Sequence, residues 1–328
     1  MTSLSSGARR TCPGDPPILS SMGNVIFDDE DITQHIVVPR LDRSAVAVPP
    51  PGDGPGYWAG APSAVAWDGN IYLAYRLRRP LGMGRGYAVE VARSGDGEHF
   101  ETLLTITKEQ AAAESLERPT LTRGPDGTWR LYLSCGTFGT KHWRVELIEA
   151  GDPAGFDVRQ RRVTLPGDPK TAVKDPVIVH WDGRWHLWAA CHPLELPEET
   201  DRMVTDYATS IDGWEWTWHG TALSGRAGGW DARGVRVSAV DFAADKIIAY
   251  YDGRATAEEN YEERTGVAVG TEPDALTSLS TGQPLAQSPH GSGGLRYLAI
   301  VPLADGHRRF YYEVAREDQA HELRTELL

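Results

Sequence analysis

Carboxylates, arginines, histidines and aromatics recur at a few equivalent places in this 328-residue chain. Glu117-Arg118-Pro119, Lys174-Asp175-Pro176 and Trp230-Asp231-Ala232-Arg233-Gly234-Val235-Arg236 each open an apolar run, as do Tyr57-Trp58-Ala59-Gly60-Ala61-Pro62 and Pro289-His290-Gly291. A second set lies at the ends of the runs that follow: Tyr75-Arg76-Leu77-Arg78, Cys191-His192-Pro193 and Tyr251-Asp252-Gly253-Arg254, with Glu263 further along. Crowded carboxyls raise one another's pKa, while neighbouring Arg and Lys lower it. Gathered at one mouth, Glu117, Asp175, Asp231 and Asp252 would be a mixed population of protonated and ionised groups, which is what acid–base chemistry requires. Arg236 lies between Val235 and Val237, so strand alternation buries it or aims it into a channel. The plainer reading of Glu117-Arg118 and Lys174-Asp175 is ion pairing that only closes the structure.

The elements that would gather these residues are visible in a repeat. Asp68-Gly69, Asp126-Gly127, Asp182-Gly183, the degenerate Asp245-Lys246 and Asp305-Gly306 each precede an aromatic or β-branched strand, at intervals of 56 to 63 residues. Asp and Gly tolerate the positive φ of a tight hairpin. A second turn, out of phase with the first, recurs as Ser94-Gly95-Asp96-Gly97, Ala150-Gly151-Asp152-Pro153, Ser210-Ile211-Asp212-Gly213 and Gly270-Thr271-Glu272-Pro273. Two turns per period imply four antiparallel strands per unit, and five periods predict an all-β, five-bladed β-propeller over residues 57–328. Residues 1–56 are expected to form an N-terminal extension and linker, with Ile36-Val37-Val38-Pro39 as an added strand. Lys108 to Glu114 is the one stretch that reads as a short helix. Because both repeated turns fall on one face, the first-strand starts and the loops after the second strands share the other.

Composition narrows the class. A net charge of −13 argues against nucleic acid, which is held mainly through Lys and Arg. Neither a membrane-length apolar segment nor a secretory leader is apparent, so a cytoplasmic protein is expected. Cys12, Cys135 and Cys191 have no metal spacing; Cys135 and Cys191 read as buried small hydrophobes, with a nucleophilic Cys191 beside His192 as the alternative. No aspartate-rich calcium loop occurs, and neither a metal nor a cofactor is expected.

The charged tripeptides ending in Pro, the Asp-Gly hairpins and the aromatic second strands resemble the five-bladed propeller glycosidases: the arabinanase and xylosidase, invertase and levansucrase, and mannoside phosphorylase families. That resemblance implies cleavage of a glycosidic bond in a small sugar or sugar-like substrate, with a carboxylate opening each of the first three blades. Glu117 and Asp175 match two of these positions, and Ala61 stands at the third. Asp231 or Asp252 would then take the missing role, and Glu117, Asp175 and Asp231 are the expected catalytic set. Trp58, Arg76, Arg78, Arg118, Lys174, His192, Trp230, Arg236, Tyr251, Asp252, Glu263 and His290 are expected to bind substrate. The alternatives are phosphorolysis, with phosphate held by the arginines and Lys174; a lyase or tailoring enzyme on the same scaffold; and a non-catalytic carbohydrate-binding propeller.

Overall fold

The structure is a computed structural model that describes residues 32–328 apart from Ala244 and Ser292. Cys12 lies outside the described residues. Strands dominate: β1 (Ala45–Val48), β2 (Trp58–Trp67), β3 (Asn70–Arg78), β4 (Gly86–Ser94), β5 (Glu101–Thr107), β6 (Leu116–Arg123), β7 (Trp129–Gly136), β8 (Trp143–Ala150), β9 (Arg162–Leu165) and β10 (Thr171–Trp181). They continue with β11 (Arg184–Pro193), β12 (Val204–Ser210), β13 (Thr217–Leu223), β14 (Gly234–Ala243), β15 (Lys246–Arg254), β16 (Arg264–Glu272), β17 (Ala275–Ser278), β18 (Leu295–Pro302), β19 (Arg308–Ala315) and β20 (His321–Leu327). Strands β6 to β9, β10 to β13 and β14 to β17 form three four-stranded antiparallel meanders. The remaining eight form one sheet, in which β18-β19-β20 carries β1 on its edge and meets β2-β3-β4-β5 through one parallel pairing, Trp58 with His321.

The repeated turns close these meanders as their composition demands. Asp68 and Gly69 take φ of 49° and 71°, and Asp182 and Gly183 take 46° and 75°, giving two-residue hairpins between Trp67 and Asn70 and between Trp181 and Arg184. At the second turn, Ser94 Oγ accepts from the amides of Asp96 and Gly97, and Ser210 Oγ accepts in the same way from Asp212 and Gly213. The side chains of Asp96 and Asp212 then accept from the amides two and three residues on.

The first strands of the units touch in a closed cycle: β2 with β6, β6 with β10, β10 with β14, β14 with β18, and β18 with β2. Apolar clusters fill the spaces between successive sheets. Leu131 and Leu133 face Val89 and Val91, Trp185 and Leu187 face Val145 and Leu147, and Trp188 and Tyr207 face Val235 and Val237. Phe310 and Tyr312 pack on Ile248 and Tyr250, and Tyr311 packs on Leu73 and Ile71, which completes the cycle. Each large apolar side chain so buried contributes about 1.5–3 kcal/mol. Since the apolar surface lies between sheets, the middle of the ring is left to polar residues.

Two expectations shift. The added strand falls at Ala45–Val48, whose alternation suits an edge strand, while Ile36 and Val37 pack against the sheets and the Val37 amide donates to Tyr250 Oη at 2.8 Å. Lys108 to Glu114 forms turns rather than a helix, with Ala112 at φ 49°; so short a segment does not offset the cost of helix nucleation.

Candidate functional site

Each inner strand is bulged near its start, in β6 and β10 at the charged tripeptides Glu117-Arg118-Pro119 and Lys174-Asp175-Pro176. Pairing slips between Gly60 and Ser63, Leu116 and Pro119, Lys174 and Val177, Val237 and Ala239, and Arg296 and Ala299. This register puts Ala61, Glu117, Asp175 and Tyr297 at the same point of their units. Ala61, Asp175 and Tyr297 take φ of 53°, 53° and 56°, the left-handed region that a bulge uses to re-aim a side chain. The equivalent paired position before the bulge holds the apolar Leu116 in β6 and, in the other inner strands, Gly60, Lys174, Arg236 and Arg296. Opposite these four on the second strands are Arg76, Ala190, Asp252 and Glu313.

Those positions converge into one buried ionic network. Arg76 pairs with Glu117 through NH1 and with Glu313 Oε2 through NH2 at 2.7 Å. Arg236 NH1 lies 3.0 Å from Asp175 Oδ2, while its Nε and NH2 donate to Asp252 Oδ2 at 3.1 and 2.8 Å. Arg296 joins Glu263 and Glu313, and Arg254 joins Glu263. Lys174 Nζ is 3.2 Å from Asp175 Oδ2, and the Arg118 amide donates to Asp175 Oδ1 at 3.1 Å. Tyr297 occupies the middle, with Arg236 over its ring at 3.8 Å, its amide donating to Asp252 Oδ1 and its hydroxyl 3.3 Å from Asp175 Oδ2. The Asp175, Asp252 and Glu313 side chains have no exposure and Glu117 has 3%, so ligand reaches them only from the rim.

The rim is cationic and aromatic. Arg78 NH1 and Arg85 NH2 stand 3.6 and 3.9 Å from Glu117 Oε1. Arg78 lies 4.0 Å from the Trp58 ring and 4.3 Å from Tyr261. Trp143 is approached by both Arg85 and Lys174. His192 places Nδ1 3.1 Å from the Thr200 carbonyl, so the neutral ring donates there and keeps Nε2, which is buried without a partner, as an acceptor.

Opposing pressures separate the carboxyl groups. Burial alone would raise Glu117, but Arg76, Lys174, Arg78 and Arg85 outweigh it and hold the group well below the usual range. Asp175 is likewise lowered, with Lys174 and Arg236 overcoming burial. Asp252 goes the other way: its burial prevails over Arg236 and raises it. Burial pushes Arg118 down to about 10 and His192 down to about 3.

The expected residues therefore divide. Glu117, Asp175, Asp252, Glu263, Arg76, Arg78, Arg118, Lys174, Arg236, His192 and Trp58 lie in or beside this network, although Trp58 is stacked on His321 at 4.5 Å as well as under Arg78. Asp231, Trp230, Tyr251 and His290 are not brought into it. Asp231 Oδ2 accepts from Arg226 and from Tyr251 Oη, and Tyr251 also bonds Ser278 on the outer strand β17. Trp230 stacks on Tyr251 and donates to the Ser280 carbonyl. Asp231 precedes β14 by a turn and runs along the sheet, and Tyr251 points away from its neighbour Asp252 because successive strand residues face opposite sides. His290 is exposed, its amide bonded to Ser288 Oγ. Cys191 is buried, and burial, with Asp206 beside it, pushes its thiol well up, against the thiolate that a nucleophile needs.

Arg296, Tyr297, Glu313 and Arg85 escaped sequence reasoning. A signal for Glu313 exists, since Tyr312-Glu313 ends its strand as Tyr75-Arg76 and Tyr251-Asp252 end theirs.

No family model and no curated protein sequence matches the chain. Solved structures do. β-1,2-Mannobiose phosphorylase from Listeria innocua, in complex with β-1,2-mannobiose, aligns with a TM-score of 0.61 at 15% identity over 85% of this chain and 93% of that one. The GH43_1 enzyme from Xanthomonas citri complexed with xylose gives 0.62 at 14% identity, over 87% and 90%. An α-L-arabinofuranosidase from Lactobacillus brevis gives 0.62 at 15% identity, over 82% and 90%. The chain thus has the β-propeller-like fold of glycoside hydrolases and phosphorylases. Fold does not by itself carry activity. Among the described residues, no helix is long and apolar enough to cross a membrane.

Proposed function

We propose that residues 57–328 form a five-bladed β-propeller that cleaves a glycosidic bond in a small sugar or sugar-like substrate at its central mouth, and that residues 32–56 form an extension completing the fifth blade through β1. The blade count is supported by reading the eight-stranded sheet as two units meeting at a single residue pair. The observation that carries the activity is the divergence within one network: Asp252 raised, Glu117 and Asp175 lowered, all three tied through shared cations. A glycosidase needs one carboxyl that holds a proton and one that is ionised. Asp252 is assigned the proton, Glu117 at the rim acts as the ionised partner, and Asp175 sets their charge balance. Asp252 thereby replaces Asp231 in the catalytic set. His192 Nε2 accepts from a sugar hydroxyl, and Lys174 and Arg78 orient the ring.

A panel of aryl glycosides, with and without phosphate, tests this reading and separates hydrolysis from phosphorolysis. Glu117→Gln and Asp252→Asn should each reduce kcat at least ~100-fold, whereas Asp231→Asn should retain turnover. Undiminished activity in both of the first two variants overturns the assignment. The near-complete burial of the central carboxylates favours a second reading, a carbohydrate-binding propeller without catalysis. Saturable sugar binding with no turnover on any glycoside would select it.

A further inference from the structure

We propose that the sugar held at the mouth carries an acid group of single negative charge, a carboxylate such as that of a uronic acid, seated on Arg78, Arg85 and Lys174. This rests on the glycoside reading above. Buried polar groups in folded proteins are ordinarily satisfied. Yet Nε and NH1 of Arg78, and Nε of Arg76, Arg85 and Trp58's indole at Nε1, are buried without a hydrogen-bond partner. Every one of these atoms donates and none accepts, so the missing ligand is rich in acceptors.

Charge says more about it. Arg76 is shared by Glu117 and Glu313, and Arg236 by Asp175 and Asp252. Arg78, Arg85 and Lys174 add three further cations beside Glu117 and Asp175, so positive charge exceeds negative at this rim of a protein whose net charge is −13. The guanidinium nitrogens of Arg78 and Arg85 stand 3.6 and 3.9 Å from the same Glu117 oxygen, too far to hydrogen-bond it. They remain free to close on another acceptor. Side-chain exposure of 29% at Arg85 and 13% at Lys174 opens the site to solvent, while Arg78, at 3%, forms its floor. A dianionic phosphate would face Glu117 at close range and be repelled more strongly than a monoanion. A carboxylate carries a single charge and matches the planar fork of a guanidinium.

Calorimetric titration of the full chain with glucuronate, galacturonate and mannuronate, each against its neutral parent sugar and against inorganic phosphate, tests the proposal. At least one uronate should bind about tenfold more tightly than its neutral counterpart, the least that one charge-assisted hydrogen bond supplies. Arg85→Gln, at a partly exposed position, should abolish that preference while the neutral sugar still binds. Equal binding of acidic and neutral sugars, or binding of phosphate but of no uronate, overturns it. Turnover of aryl uronides is read separately. Acid-selective binding without turnover upholds the anion seat and removes the catalytic reading, and turnover confined to neutral glycosides does the reverse.

Discussion

The carboxylate of Glu313 lies directly against the backbone of Gly60, in space that a side chain there would enter. Gly60 adjoins Ala61, the point at which the first unit lacks the carboxylate that Glu117 and Asp175 supply in the next two. The acid is not absent from this part of the network but arrives on β19, and is held there by Arg76, Arg296 and His321. Gly60→Ala should therefore lower the urea midpoint by the equivalent of about 1–3 kcal/mol, as overpacking does. An unchanged midpoint would mean that Glu313 moves freely and does not belong to a fixed network.

Arg236 is the cation shared by Asp175 and Asp252, and its guanidinium also covers Tyr297. Removing it strands two carboxylates without exposure. Arg236→Gln is expected to cost about 3–5 kcal/mol in denaturant unfolding, the usual penalty for breaking a buried pair from one side. A loss below 1 kcal/mol would show that the tyrosine and backbone donors suffice.

Stability should fall with acid in two stages. His192 is neutral in the fold, with its pKa near 3, while the unfolded chain protonates it near 6.5. Its contribution is present above about 6.5 and is lost as pH falls toward 3. Glu117, Asp175, Glu263 and Glu313 are also depressed, so their contribution is full above about 4 and disappears at lower pH. Asp252, raised by burial, has the opposite sign: its contribution is present below about 4 and is lost as pH rises through its folded value. Melting temperatures of the wild type and His192→Gln across pH 3 to 8 separate the stages, because the variant should lack the decline between about 6.5 and 4. Parallel profiles would argue against a buried neutral His192.

Cys135 and Cys191 are buried and free, and burial pushes the Cys135 thiol up to about 12. Peptide mapping after iodoacetamide at pH 8 should find both unmodified in native protein and both alkylated after unfolding. Native labelling of Cys191 would reopen its nucleophilic reading.

The repeat and much of the site were legible because both depend on local rules. Asp-Gly turns require positive φ, strands alternate, and a charged residue that recurs at one phase of a repeat must meet its equivalents where the ring converges. Glu117, Asp175, Arg236 and Asp252 were found in that way. Asp231 and Tyr251 misled because sequence phase does not say which way a loop runs before its strand, or that Tyr251 and Asp252 diverge by a half-turn of the backbone. Glu313 carries the same strand-end signal as Arg76 and Asp252, whereas Tyr297 could be recognised only from the register of β18 with β19.

The sequence by itself determined the strand-and-turn repeat, since hairpin geometry and alternation act over a few residues. It also determined that charge would collect at strand starts and ends. Only the tertiary structure decided which charges share a partner. The pairs Arg76 with Glu313 and Asp175 with Arg236 span 237 and 61 residues, and burial in a closed ring, which no local pattern encodes, sets how far each carboxyl is pushed toward acid or base.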